Sequence, residues 1–124
     1  MIIFHKFKVQ DMKEIKAIIR PFKLDNVVSA LHKIEGLPGL TISEIKGFGR
    51  TKAKGAEDSF QEGLHDYIKR VQIELVVNDN IVEQVVETIR KTAYTGNTGD
   101  GKIFVINVVD TIRIRTNEHG EDAI

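Results

Sequence analysis

Between Thr95 and Lys102 the chain reads Thr-Gly-Asn-Thr-Gly-Asp-Gly-Lys, with three glycines in eight residues and a lysine to close. Such a loop can turn its backbone N–H groups inward around an anion, and the lysine adds positive charge. Gly96 and Gly101-Lys102 have the spacing of a P-loop, but Ile103 stands where that motif places the Ser or Thr that holds Mg²⁺. The order of elements also differs. A P-loop runs from a strand into a helix, whereas here a helical pattern precedes the loop and Ile103-Phe104-Val105-Ile106 follows it. The chemistry implied is phosphate binding without the P-loop hydrolysis machinery. Glycine count alone is equally compatible with an ordinary helix-to-strand turn.

Two further groups invite the same reading. Arg113 and Arg115 lie two apart in the alternating tail Thr111-Ile112-Arg113-Ile114-Arg115-Thr116. If that tail is a short strand, both guanidinium groups project to one face and converge on one anion. The plainer alternative is the solvated face of an edge strand. Gly47-Phe48-Gly49 ends another alternating run, where a bulge or strand exit would also serve.

Composition narrows the classes. Eighteen basic and eighteen acidic residues among 124 cancel, which gives no support to a general attraction for nucleic acid or membrane surfaces. The absence of cysteine excludes disulfides, Cys-zinc sites and thiol catalysis, and fits a reducing compartment. No stretch approaches a membrane span of about 20 apolar residues, and the apolar run Met1–Phe7 is too short and interrupted for a signal peptide. A cytoplasmic protein is expected. His5, His32, His65 and His119 are scattered without H-x-x-x-H spacing, so no metal site is expected, and no nucleophile–base pair stands out for catalysis.

The elements needed to position these groups come as one pattern written twice. Ile15–Arg20 reads as a strand stopped by Pro21, and Asp25 is the expected cap of a helix with Val27, Val28, Leu31 and Ile34 on one face. Gly36, Pro38 and Gly39 end it, and Leu40–Ile45 alternates as a half-buried strand. The second copy begins at the strand Val71–Val77. Asn78 or Asp79 then caps a helix with Ile81, Val82, Val85, Val86 and Ile89 inward, and the glycine loop leads into the strand Ile103–Val108. Two βαβ units in one α+β domain predict a ferredoxin-like double βαβ sandwich, with two helices on one face of an antiparallel four-stranded sheet. Residues 1–12 read as an N-terminal extension whose alternation permits an edge strand. Residues 13–124 form the domain, interrupted by a long loop at 50–70 that is rich in Lys, Gly, Glu and Asp.

Four blocks together carry a family resemblance: Ala17–Leu24, Lys46–Arg50, Thr95–Val105 and Ile112–Thr116. The chain resembles the P-II signal-transduction proteins of nitrogen regulation from about Lys13 to Ile124, leaving aside Thr51 to Lys69. The resemblance implies a cytoplasmic homotrimer that binds ATP or ADP, with or without Mg²⁺, between neighbouring subunits. It implies no metabolic catalysis. It also implies that the long loop (the T-loop) docks on a regulated enzyme, transporter or regulator. Carried over residue by residue, Gly47, Gly49 and Arg50 would contact the nucleotide, and Gly99, Asp100, Gly101 and Lys102 would cradle its phosphates from the same subunit. Gly39, Leu40, Thr41, Glu74, Arg113 and Arg115 would come from the adjoining one. Glu74 and Thr41 suit base recognition, and the two arginines suit phosphate charge.

Several residues depart from the family pattern. Thr51 stands where the family usually carries the glutamine that ligates the Mg²⁺ of 2-oxoglutarate, and it offers no amide oxygen. The lysine expected near the loop's end falls on Arg70, with Lys69 beside it, so Thr51, Lys69 and Arg70 form an altered loop switch and a 2-oxoglutarate site of the usual design is called into question. The tyrosine that many members have modified is missing: its place falls near Gly63, while Ser59 reads as a polar loop residue and Tyr67 as an anchor at the loop base. The unusual loop from Thr51 to Gly63, with Leu37-Pro38-Gly39 and Thr95-Gly96-Asn97, also resembles P-II-like proteins associated with cation-efflux transporters. A cation-tolerance trimer would share the fold but lack the Gly-Asp-Gly-Lys and Arg-x-Arg signatures. An acylphosphatase-like enzyme would share the sandwich but need a catalytic pair that is not evident here.

Overall fold

The computed structural model describes residues 12–48 and 67–124. The extension and most of the long loop, with Gly49, Arg50 and Thr51, lie outside the described residues. β1 (Met12–Ile19) is followed by a short 3₁₀ turn (Pro21–Lys23), α1 (Leu24–His32) and β2 (Thr41–Gly47). β3 (Ile68–Asn78), a second 3₁₀ turn (Asp79–Ile81), α2 (Val82–Ala93) and β4 (Gly101–Asn107) repeat the sequence of elements. The strands form one antiparallel sheet in the order β2-β3-β1-β4, which is the double βαβ sandwich predicted above.

The core follows from the two periodicities. Ile15, Ala17 and Ile19 of β1 and Val71, Ile73, Leu75 and Val77 of β3 alternate with partly exposed neighbours, and all are buried. α1 lays Val27 and Leu31 on that face, followed by Ile34 just beyond its end; α2 lays Val85, Ile89 and Ala93 there. Leu24, Ile81, Val82 and Val86 pack around this centre, and the two helices lie against each other. No buried side chain of this core is polar or charged among the described residues.

The helix starts differ from expectation. Asp25 is not the cap of α1: Lys23 holds that position without a side-chain bond, and Asp25 sits in the first turn, where its charge suits the helix dipole. Pro21 nucleates the preceding 3₁₀ turn, which takes up the residues a capping side chain would otherwise organise. Neither Asn78 nor Asp79 caps α2, since another 3₁₀ turn intervenes and Ile81 occupies the cap. Asp79 instead accepts from Lys13 Nζ at 2.7 Å. β1, β3 and β4 also start earlier than the apolar runs suggest, whereas β2 starts one residue later. β1 begins at Met12, opposite Asn78, and β3 begins at Ile68, opposite Gly47. Lys69 and Arg70 therefore ride on a strand.

Among the described residues, no helix covers the opposite face of the sheet. Register places Ile18, Ile45, Val76, Phe104 and Ile106 there, interspersed with Glu14, Lys16, Gln72 and Glu74. Phe104 and Ile106 are 43% and 40% exposed.

Ile73 touches both layers from the middle of β3 and is fully buried. Ile73→Ala is expected to destabilise the fold by about 3 kcal/mol through lost transfer energy and the cavity left behind. Chemical denaturation checks this; a loss below about 1 kcal/mol would mean that the site collapses around the smaller side chain.

Candidate functional site

The glycine loop has a definite internal architecture. α2 ends at Ala93 and Tyr94 is extended, so the chain leaves the helix directly into the loop. Asp100 then gathers the loop on its carboxylate. Oδ2 accepts the Thr95 N–H at 2.8 Å and the Gly96 N–H at 3.0 Å, and Oδ1 accepts the Thr95 hydroxyl and Arg20 Nε, the latter at 3.0 Å. The Thr95 hydroxyl oxygen in turn accepts the Asn97 N–H at 3.1 Å. The Thr95 donors, followed by the Arg20 guanidinium, hold the Asp100 carboxyl well below the usual carboxylate range.

Lys102 enters β4 exposed, opposite Ile18, immediately after Gly101. Gly101 has φ +110°, and a Cβ there would lie 1.8 Å from the Ile18 carbonyl oxygen, so no other residue fits the junction of loop and strand. Gly99, at φ +98°, faces two guanidinium groups: a Cβ would lie 3.1 Å from Arg70 Nη2 and 3.4 Å from Arg20 Nη2.

The residues singled out in the sequence are spread along the sheet, with one group at one end, Arg113 and Arg115 past the other, and Thr41 and Glu74 between them. The ends of β1 and β2 and the starts of β3 and β4 meet at one end, which collects Gly47, Lys69, Arg70 and Gly99 to Lys102. Gly49, Arg50 and Thr51 follow Gly47 in the chain beyond the described residues. A cavity of about 350 Å³ opens here, lined by Pro21, Glu44, Ile45, Lys46, Lys69 and Arg70 among others. Thr41 and Glu74 pair with each other farther along the sheet, and Gly39 and Leu40 precede them. Glu74 accepts from Gln72 Nε2 at 2.9 Å, and its hydrogen bond with Glu14 lowers its own pKa while raising that of Glu14. Arg113 and Arg115 lie past the far end of β4, whose seven residues span roughly 20 Å.

The tail itself departs from expectation. Thr111–Thr116 is not a strand: Ile112 makes one isolated bridge with His119, residues 114–116 form a turn, and Asn117 has φ +60°. The alternation of Ile and Arg is overridden because Asp110 closes a local hairpin, accepting from the Thr111 and Gly120 N–H groups and pairing with His119 at 2.8 Å. The His119 contact is the main reason that the Asp110 pKa is lowered. Arg113 is drawn to Glu118 Oε1 at 3.3 Å and to the Ile124 backbone oxygen at 3.2 Å, while Ile114 is fully exposed. The common face for both arginines, expected from a strand, is therefore not supplied by strand geometry.

Sequence reasoning missed Arg20. Its place in the sequence reads as the end of a strand, but its side chain grips Asp100 and the Thr98 carbonyl across 80 and 78 residues. The available signal was an arginine directly before Pro21, with its backbone held extended.

Known proteins share this sequence pattern and fold. The family model described as Nitrogen regulatory protein P-II matches residues 12–118. The chain belongs to the P-II family. It is 52% identical over 113 residues to the nitrogen regulatory protein P-II of Rhodospirillum rubrum, and 50% identical over the same length to that of Bradyrhizobium diazoefficiens and to P-II 1 of Escherichia coli K12. Each match covers 91% of this chain and all of the relative. The crystal structure of Arabidopsis thaliana PII bound to citrate superposes with a TM-score of 0.73 at 38% identity, covering 93% of this chain and 94% of the other. This P-II protein thus carries a nitrogen-regulatory family's sequence and fold. Among its described residues no helix is long and apolar enough to cross a membrane, and among those same residues no cluster of three or more His, Cys, Asp or Glu is placed to hold a metal.

Two outcomes follow for the loop. Gly101→Ala should cost about 3 kcal/mol or more, seen as a drop in Tm on the order of 10 °C, because the Ile18 backbone cannot retreat without unpairing β1; an unchanged Tm would mean that the β4 start is free to shift. Asp100 has a depressed folded-state pKa, so its contribution to stability is present above the unfolded value of about 4 and is lost as pH falls through the lower folded value. Protection of the Thr95 and Gly96 amides should accordingly be flat with respect to Asp100 ionisation from pH 5 to 8, once the intrinsic exchange rate is divided out. A step within that range would contradict the carboxylate anchor.

Proposed function

We propose that this P-II protein is a signal transducer that binds ATP or ADP between neighbouring subunits of a homotrimer. The observation that carries the proposal is the division of the candidate residues between opposite ends of one sheet. Gly47 and the loop Gly99–Lys102 lie at one end, and Arg113 and Arg115 lie past the other. A rigid protomer cannot bring both groups to one small molecule, whereas a second copy can present its far end to the first copy's near end. The uncovered sheet face gives such an assembly apolar surface to bury.

In this arrangement Lys102 and the loop amides meet the phosphates, with Gly49 and Arg50 adjoining them. Gly39, Leu40, Thr41 and Glu74 of the neighbour recognise the base, and its Arg113 and Arg115 neutralise phosphate charge. Arg113 must exchange Glu118 for the nucleotide. The γ-phosphate, with or without Mg²⁺, then biases Thr51, Lys69 and Arg70 and hence the loop 50–70, which docks on a regulated enzyme, transporter or regulator in the cytoplasm. No catalytic step is assigned. The Arabidopsis relative is bound to citrate, whereas in this chain Thr51 lacks the amide oxygen of the usual 2-oxoglutarate design.

Calorimetric titration of the full chain with ATP and with ADP, each with Mg²⁺, should give Kd values in the micromolar range. Lys102→Ala should weaken both about tenfold while sedimentation still reports the trimer. The proposal falls if no adenine nucleotide binds. Unchanged affinity in the lysine variant would place the phosphates elsewhere, and enhancement by 2-oxoglutarate would show that Thr51 does not disable that site.

A further inference from the structure

We infer that Arg20, with Arg70, is a positioning residue that sets the polarity of the glycine loop, turning its peptide carbonyls inward so that the Gly99 and Asp100 N–H groups face an incoming phosphate. The inference rests on the nucleotide reading for its natural ligand but concerns the cradle itself. Arg20 Nη2 donates to the Thr98 carbonyl at 2.8 Å, and Arg70 Nη2 donates to the Gly99 carbonyl at 3.1 Å. In a planar trans peptide the N–H points opposite to the C=O of the same unit, and none of the described peptides is cis. Holding the Thr98 carbonyl toward Arg20 therefore sends the Gly99 N–H the other way. Holding the Gly99 carbonyl toward Arg70 does the same for the Asp100 N–H.

The remaining amides show that this division is specific. The N–H groups of Thr95, Gly96 and Asn97 are already committed to Asp100 and to the Thr95 hydroxyl, so the first half of the loop faces inward and contributes no donor to a ligand. Donors for an anion must come from the second half, whose carbonyls the two arginines restrain. Without those guanidinium groups, a glycine such as Gly99 can rotate its peptide at little steric cost and present oxygen instead of N–H to a phosphate.

Arg20 is well placed for the task. Pro21 follows it, the Lys23 N–H bonds to its carbonyl, and its side chain is only 21% exposed. Its Nε is anchored on Asp100 while Nη2 reaches Thr98, so one planar fork ties the loop's carboxylate to its carbonyl. Arg70 is steadied by a second bond from Nη1 to the Lys69 carbonyl at 2.9 Å. Both cations thus lie beneath the loop and add a favourable field for an anion above it.

The test compares wild type, Arg20→Gln and Arg20→Lys in the full chain, using inorganic tripolyphosphate followed by amide NMR, and adenosine, ADP and ATP by calorimetry. Tripolyphosphate should shift the Gly99 and Asp100 amides of wild type. In a folded Arg20→Gln protein these shifts should vanish, and ADP and ATP should bind about tenfold more weakly with adenosine unchanged. Arg20→Lys, which keeps the charge but not the fork, should fall between them and supplies the answer if the glutamine variant does not fold. A wild-type amide response in folded Arg20→Lys, or an unchanged ratio of ATP to adenosine affinity, overturns the inference. So does wild type that binds ATP without those amides responding to tripolyphosphate, a result that leaves the nucleotide reading intact. A tripolyphosphate response without nucleotide binding sustains the cradle and removes the nucleotide.

Discussion

The Asp100 carboxylate is the contact on which the glycine-loop end of the molecule depends. It draws two backbone N–H groups, a hydroxyl and a guanidinium onto two oxygens, and so folds a segment of low intrinsic order into one shape. Each donor also stabilises the ionised form, and together they hold the carboxyl well below the usual carboxylate range. The aspartate in the Gly-Asp-Gly-Lys stretch is thus spent on the loop rather than directed at a ligand. The lysine that follows it is left exposed at the start of β4.

That loop matters because of where the sheet places it. A ferredoxin-like topology brings the ends of β1 and β2 to the starts of β3 and β4, so four separate stretches of sequence converge at one end of the sheet. Arg20 comes from the end of β1, Arg70 from the start of β3 and Lys102 from the start of β4. The same topology sends the C-terminal hairpin to the far end, beside Met12, where the Val108 N–H bonds the Met12 carbonyl. Antiparallel pairing therefore both assembles one cluster of cations and separates it from the other.

The helices and the sheet were legible because burial obeys periodicity. Val27, Leu31 and Ile34, like Val85 and Ile89, recur at helical spacing and are buried, and β3 alternates along its length. Helix starts were less legible. Asp25 and Asn78 are good capping types, yet a 3₁₀ turn beginning at Pro21 or Asp79 lies at each entrance and moves the cap to Lys23 or Ile81. The tail misled for a similar reason. Alternation in Thr111–Thr116 is a half-buried strand signal only if a neighbouring strand is there to pair, and Asp110 with His119 closes a tight hairpin first.

By itself the sequence determined the fold class, the family and the presence of a glycine loop between α2 and β4, because each is encoded locally in periodicity, glycine placement and contiguous motifs. Tertiary structure decided the roles within that loop. The partnership of Arg20 with Asp100 spans 80 residues, and that of Arg70 with Gly99 spans 29. No local pattern encodes such contacts: they exist because strand pairing sets the end of β1, the start of β3 and the start of β4 side by side. Only there does a strand-ending arginine become the group that orients a peptide.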